Sequence, residues 1–399
     1  MVSEGRLASR LISLPAVLFC GATAFVFSTS AAAAVPRAPS GATMAPAPLA
    51  AMDAAIEAAI LVGRTSGGVL WVGHADADHV RAHGSRAVEP EVEATTRDTL
   101  YDAASLTKVV VTTTAVLQQV ERGALALDAP VARWLPAFAA EGKGAVTVRH
   151  LLTHTSGLRP GLRLQPAWTG RAAALALASG EQLQSVPGER FVYSDINFIV
   201  LGELVRAVTA EELDRYAARE IFAPLGMIDS GFRPEPTFHP RIAPTERVGD
   251  VLLRGVVHDP TARAMGGVAG HAGLFTTASD VARFCRMILA AGRAPDGRAV
   301  LSSASVAEMT RVQTVGSDQR GLGWDIDTRF SAPRGSVFPA GRSFGHTGFT
   351  GTSLWIDPGS RSFVIFLSSR LHPHGKGDVT DLRRTLGTLA AEAVGLRAP

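Results

Sequence analysis

Ser105 stands three residues before Lys108 in SLTK, within the largely apolar stretch YDAASLTKVVVTTTAVLQQV, residues 101–120. Positions three apart on a helix share a face, so the lysine Nζ can reach the serine Oγ. The chain holds 39 basic residues, yet only three are lysines: Lys108, Lys143 and Lys376. Where arginine serves almost everywhere as the cation, a lysine inside an apolar helix points to a property arginine lacks. A desolvated lysine can lose its proton. The positive end of the same helix favours an alkoxide. The pair reads either as a nucleophile with its proton acceptor, or as an N-cap serine beside a lysine whose stem lies along the helix.

Two further stretches bear on that choice. PGERFVYSDINF places Tyr193, one of three tyrosines in the chain, in a short loop ahead of the helical pattern INFIVLGELV. A phenol beside cations suits a general base. SFGHTGFTGTSLWI places His346, Thr347 and Gly348 at the expected start of the first strand of a hairpin. Glycines there let a substrate backbone lie along an exposed edge, and strand N–H groups can face an oxyanion. A metal reading also exists, since His150 and His154 in RHLLTHTSG have i, i+4 spacing. However, Leu151 stands where a metallohydrolase helix needs its glutamate, and His258-Asp259 supplies no obvious third ligand. Those histidines are therefore read as structural.

These residues need elements to hold them. SGGVLWVGHADADHVRAHG reads as a strand with a hairpin partner, and GTSLWIDPGSRSFVIFLSS as a second hairpin turning at Asp357-Pro358-Gly359. Between them lie helical patterns: the run from Ser105 to about Glu121, INFIVLGELVRAVT, EELDRYAAREIF, and SDVARFCRMILAAG with Ser279 as expected N-cap. DLRRTLGTLAAEAV closes the chain as a helix. Strands at both ends and helices between predict a mixed α/β (α+β) fold. Its antiparallel sheet is built from N- and C-terminal strands, with flanking helices and an inserted helical region.

Residues 1–34 differ in kind. Arg6 and Arg10 precede LISLPAVLFCGATAFVF, and small residues through Ala32 and Ala34 end it before Val35. That is the pattern of a secretory signal peptide, with an uncleaved membrane anchor as the alternative. VPRAPSGATMAPAPLA, residues 35–50, reads as a Pro/Ala-rich tether, and residues 51–399 as one domain. Cleavage would remove Cys20 and leave Cys285 alone, so an exported chain would rest on its core without an intramolecular disulfide. Hydrophobic residues make up 46% of the chain and suffice for such a core. A net charge of +3 with no basic block argues against a nucleic-acid partner.

Taken together, the motifs resemble those of the serine β-lactamase and penicillin-binding-protein superfamily, in its class C-like branch. SLTK matches the nucleophile motif, YSD the Tyr-x-Asn motif, and HTG stands where Lys-Thr-Gly is usual. LLTHTSGL, PGERFVYSD, IFAPLGM and GLGWDI follow in the usual order across nearly the whole chain after the leader. VHDPTARAMGGVAGHAGLFTTASDVARF is similar to a subgroup of exported serine hydrolases. That subgroup includes peptidoglycan-recycling amidases that cut between N-acetylmuramic acid and its peptide.

The resemblance implies a β-lactamase/transpeptidase-like fold and an acyl-enzyme on Ser105, with Lys108 and Tyr193 handling its proton. It places the Ser105 and Phe349 N–H groups in the oxyanion hole, and Asp195, His346, Thr347 and Gly348 against substrate. No metal or organic cofactor is implied, and the expected partner is a small molecule or muropeptide, with cell-wall association. Asp195 replaces an amide and His346 a lysine, which weakens a β-lactam-hydrolase reading and leaves amide or ester hydrolysis. A β-lactamase or D,D-carboxypeptidase is the alternative activity, and a non-turnover penicillin-binding sensor or scaffold the non-enzymatic one.

Overall fold

A hairpin from each end of the chain meets at the centre of the main sheet. The computed structural model describes residues 42–398; the leader and residues 35–41 of the expected tether lie outside them. The N-terminal strands are β1 (Gly67–His74), β2 (Ala77–Ala87) and β3 (Glu93–Ala94). Short strands follow: β4 (Tyr101–Asp102), β5 (Gly231–Phe232), β6 (Arg247–Val248), β7 (Val251–Leu252) and β8 (Leu274–Thr276). The C-terminal part supplies β9 (Gln313–Val315), β10 (Asp318–Arg320), β11 (Asp325–Asp327), β12 (Phe344–Thr347), β13 (Ser353–Asp357) and β14 (Ser362–Ser368). Among the described residues the main sheet has the order β3-β2-β1-β14-β13-β12-β11-β10-β9. β1 pairs antiparallel with β14, setting Val69 opposite Leu367 and Trp71 opposite Ile365. The two termini thus share one sheet, as the strand pattern predicts.

Side chains alternate across this sheet because successive strand residues point to opposite faces. Val69, Leu354, Ile365 and Leu367 join the larger core, which also holds Leu106, Val109 and Val110 of the Ser105 segment. Leu70, Val72, Trp355, Val364 and Phe366 join a second core with Met52, Ile56, Leu386 and Ala390. Two helices, Pro46–Leu61 and Thr380–Ala393, cover that second face. The first begins inside the expected tether, so residues 46–50 are helical. A proline at a first helical position keeps the helix intact, since its missing N–H would be unpaired there anyway.

Two local expectations change. His346 and Thr347 do not begin the C-terminal hairpin; they end β12, and a loop then leads into β13. The helix Ala278–Leu289 is capped by Thr277, whose side chain accepts from the Asp280 N–H, while Ser279 lies within the first turn. No helix among the described residues is long and apolar enough to cross a membrane.

Candidate active site

Ser105 lies at a tight junction between β4 and a buried helical run. β4 pairs with β8, and the Ala103 N–H extends this pairing to the Leu274 carbonyl at 2.8 Å. Ala104 then takes a left-handed turn, φ 47°, its N–H held by Asp102 Oδ1 at 2.9 Å. A non-glycine residue rarely adopts such a φ, so the surroundings must hold it. The chain continues into a π-helical turn, Lys108–Thr113, and an α-helix, Thr114–Glu121. Widened π turns recur at functional sites.

Lys108 is fully buried. Its Nζ donates to Ser105 Oγ at 2.9 Å and to the His271 carbonyl at 3.1 Å, and pairs with Asp195 Oδ1 at 2.7 Å. Burial alone would favour the neutral amine. Asp195 and then Tyr193 outweigh it, so the Lys108 pKa lies above its ordinary value. The pair is thus a polarised hydroxyl facing an ammonium.

Asp195, expected against substrate, lines the same space as Ser105 and also serves Lys108. It starts the helix Asp195–Thr209, and its carboxylate lies on Lys108 because a short acid can neutralise a buried cation there. Tyr193, just before that helix, has Lys108 Nζ 5.0 Å from its ring centre. Its loop is held by His154. His154 Nδ1 accepts the Ser194 N–H at 3.0 Å, its carbonyl accepts the Val192 N–H at 2.9 Å, and its ring lies 4.4 Å from the Tyr193 ring. Burial, then Arg320 and Lys108, hold this imidazole well below its ordinary pKa and therefore neutral.

The third motif comes from β12. His346 is buried, and its Nδ1–H donates to the Thr347 carbonyl at 2.8 Å, leaving Nε2 as an acceptor. Burial, then Arg320 and Lys108, lower its pKa too. Residues 348–352 then press onto the segment before Ser105. Thr350 Oγ1 donates to the Asp102 carbonyl at 2.7 Å, and Thr352 Oγ1 to the Ala103 carbonyl at 2.9 Å. Neither the Ser105 nor the Phe349 N–H meets an acceptor among the described residues. Phe349 is 62% exposed, its ring stacked on His258 and beneath the Arg370 guanidinium.

A cavity of about 700 Å³ joins these groups and is lined by Ser105, Tyr193, Asp195, His346, Thr347, Gly348 and Phe349. All the residues singled out by motif for the site, save buried Lys108 beneath it, therefore face one space. Asp259 and His271 line it as well, with His271 Nε2 2.8 Å from Asp259 Oδ1. Burial would raise Asp259, but the adjoining His271 outweighs it and keeps the carboxyl below the usual range. Donor atoms of Asp195, Asp259 and His271 lie within 4.8 Å of one another, near enough for a metal. The Lys108 ammonium already pairs with Asp195, however, and His271 Nε2 is engaged by Asp259. That donor set suits an ion-pair network better than a cation site.

The chain matches the Beta-lactamase family over residues 52–388. It is a member of that family. Among its relatives is an Escherichia coli (strain K12) chain named "Putative D-alanyl-D-alanine carboxypeptidase", 33% identical over 324 residues, which cover 72% of this chain and 73% of that one. Solved structures share the fold. A penicillin-binding protein homologue from Caulobacter crescentus is 22% identical, with a TM-score of 0.70 and coverage of 88% and 98%. EstCE1, described as a hydrolase with promiscuous acyltransferase activity, is 21% identical, with a TM-score of 0.70 and coverage of 86% and 99%.

Motif reading missed the network around this Beta-lactamase family site. Asp259 and His271 do fall in the stretch similar to exported hydrolases, VHDPTARAMGGVAGHAGLF, which was the available signal. Arg320 and Arg383 carry no local signal, being two among many arginines.

Proposed function

We propose that this protein is an exported serine hydrolase that cleaves an amide or ester of peptidoglycan-derived peptides through an acyl-enzyme on Ser105. The carrying observation is the buried Lys108 Nζ, 2.9 Å from Ser105 Oγ, at the floor of the cavity. With Lys108 charged at rest, Tyr193 reacts as its phenolate beside the ammonium: it accepts the Ser105 proton and becomes the neutral phenol, while the ammonium stabilises the developing negative charge. The Ser105 and Phe349 N–H groups take the oxyanion. Lys108 and Tyr193 return the proton to the leaving group, and water releases the acyl group.

Within this reading, a D,D-carboxypeptidase activity has specific support from the relatives of that name. His346 brings no fixed positive charge for a peptide carboxylate, but Arg320, Arg370 and Arg383 line the same cavity. The alternative bond is the amide joining muramic acid to its peptide.

The test has two arms. A fluorophosphonate probe should add its mass to Ser105, and Ser105→Ala should abolish both labelling and turnover. An adduct on a different residue would end the proposal. Mass spectrometry of cell-wall peptides after incubation then separates the bonds: free D-alanine marks the carboxypeptidase, and an intact released peptide marks the amidase.

A further inference from the structure

Arg383 lies on the Thr380–Ala393 helix, behind the loop that follows β12. It is only 9% exposed. No carboxylate among the described residues comes within ion-pair distance of it, and its Nε is buried without a partner. Its Nη2 donates to two backbone carbonyls, Gly348 at 2.8 Å and Thr352 at 2.7 Å. A buried guanidinium without a counter-ion is costly to keep, so what those two bonds fix is informative.

The Gly348 carbonyl and the Phe349 N–H belong to one peptide unit. That unit is planar and trans, so the two groups point in opposite directions. Holding the carbonyl on the Arg383 side turns the N–H to the opposite side, and Phe349 itself lines the cavity. The loop supplies its own support, since the Gly351 N–H donates to the same carbonyl at 3.2 Å and the Gly348 N–H to the Thr352 carbonyl at 2.7 Å. Yet Gly348 has no side chain to resist rotation of this peptide. Arg383 bridges both ends of the loop and opposes that rotation with charge-assisted bonds.

We infer that Arg383 is a positioning residue for acyl transfer: it locks the Gly348–Phe349 peptide so that the Phe349 N–H faces the oxyanion. The inference rests on the serine-hydrolase reading and adds to it a residue on a different element. The competing role is direct capture of a substrate carboxylate, because Arg383 also lines the cavity.

Arg383→Gln and Arg383→Lys, checked for folding by thermal melting, distinguish these roles when the substrate is a neutral chromogenic ester. Loss of one oxyanion donor costs 10²–10³ in kcat, so misaiming it in Arg383→Gln should cost about 10- to 100-fold, with KM nearly unchanged. Affinity for neutral phenylboronic acid, whose adduct mimics the tetrahedral state, should fall by a similar factor. The carbonyl stretch of a trapped acyl-enzyme should move to higher wavenumber as its polarisation weakens. Arg383→Lys keeps charge and a donor and should lie between wild type and Arg383→Gln; if the glutamine variant does not fold, it carries the same readouts. Unchanged kcat would overturn the inference. So would a kcat loss with boronate affinity and carbonyl frequency intact, or a KM effect confined to carboxylate-bearing substrates. Should wild type fail to label at Ser105, the serine-hydrolase reading itself fails; labelling with a normal Arg383→Gln removes only this inference.

Discussion

Lys108 and Asp195 decide how Ser105 is set up. The family amide at position 195 could not balance a buried ammonium, whereas the carboxylate does, at 2.7 Å. The sign of the resulting pH effect follows. Asp195 raises the Lys108 pKa, so removing its charge lowers it. If the working form of Lys108 is the ammonium, activity is lost as pH rises through that pKa. Asp195→Asn should therefore move the alkaline limb of the kcat/KM profile to lower pH, leaving the acid limb in place. A shift of the acid limb instead would make neutral Lys108 the base. The Ser105/Lys108 pairing is legible in SLTK because helical spacing is local. The Lys108–Asp195 pairing is not, since it joins two helices far apart in sequence. From the residues alone, Asp195 looks like a substrate contact.

At the scale of elements, two segments carry the N–H groups proposed for the oxyanion, those of Ser105 and Phe349. Thr350 and Thr352 bind the 348–352 loop to residues 102 and 103, and Gly348 lets them approach. A Cβ at Gly348 would stand 2.0 Å from Thr352 Oγ1 and 2.6 Å from the Ala103 carbonyl. Gly348→Ala must therefore push the two segments apart. It should lower kcat by about 10²–10³, the scale of a lost oxyanion donor, while overpacking costs about 1–3 kcal/mol of stability. Gly359→Ala in the β13–β14 turn is the control, because a Cβ there meets only the Asp357 side chain, at 3.5 Å or more. Equal kcat in the two variants, measured beside their melting temperatures, would show that the loop yields without cost. The hairpins and long helices were legible from periodicity and turn residues. The place of HTG at the end of β12 was not: an apolar strand pattern does not say which of two neighbouring strands a glycine-rich stretch belongs to. The shift matters, because it leaves the loop after HTG free to fold onto the Ser105 segment.

For the molecule as a whole, the sheet separates chemistry from support. One face packs the Ser105 segment through Leu106, Val109 and Val110; the other packs helices from the two ends of the chain through Ile56, Leu386 and their neighbours. Sequence showed that both termini supply strands, since each hairpin carries its own pattern. It did not show that both also supply the helices over the far face, because the first of these begins within the Pro/Ala-rich stretch. Truncating a buried isoleucine to alanine costs about 2–5 kcal/mol through lost transfer energy and a residual cavity. Ile56 and Leu106 are both fully buried, so Ile56→Ala and Leu106→Ala should both lower the melting temperature. Their effects on turnover should differ. Leu106 adjoins Ser105, and a cavity beneath it lets the nucleophile drift from Lys108; misplacement of about 1 Å can cost 10²-fold. Ile56 lies across the sheet, so kcat of Ile56→Ala, measured well below its melting temperature, should stay within about 2-fold of wild type, as expected of sites without shared partners. A comparable kcat loss in both variants would mean that the sheet transmits strain between its faces, and that the terminal helices belong to the active site's support.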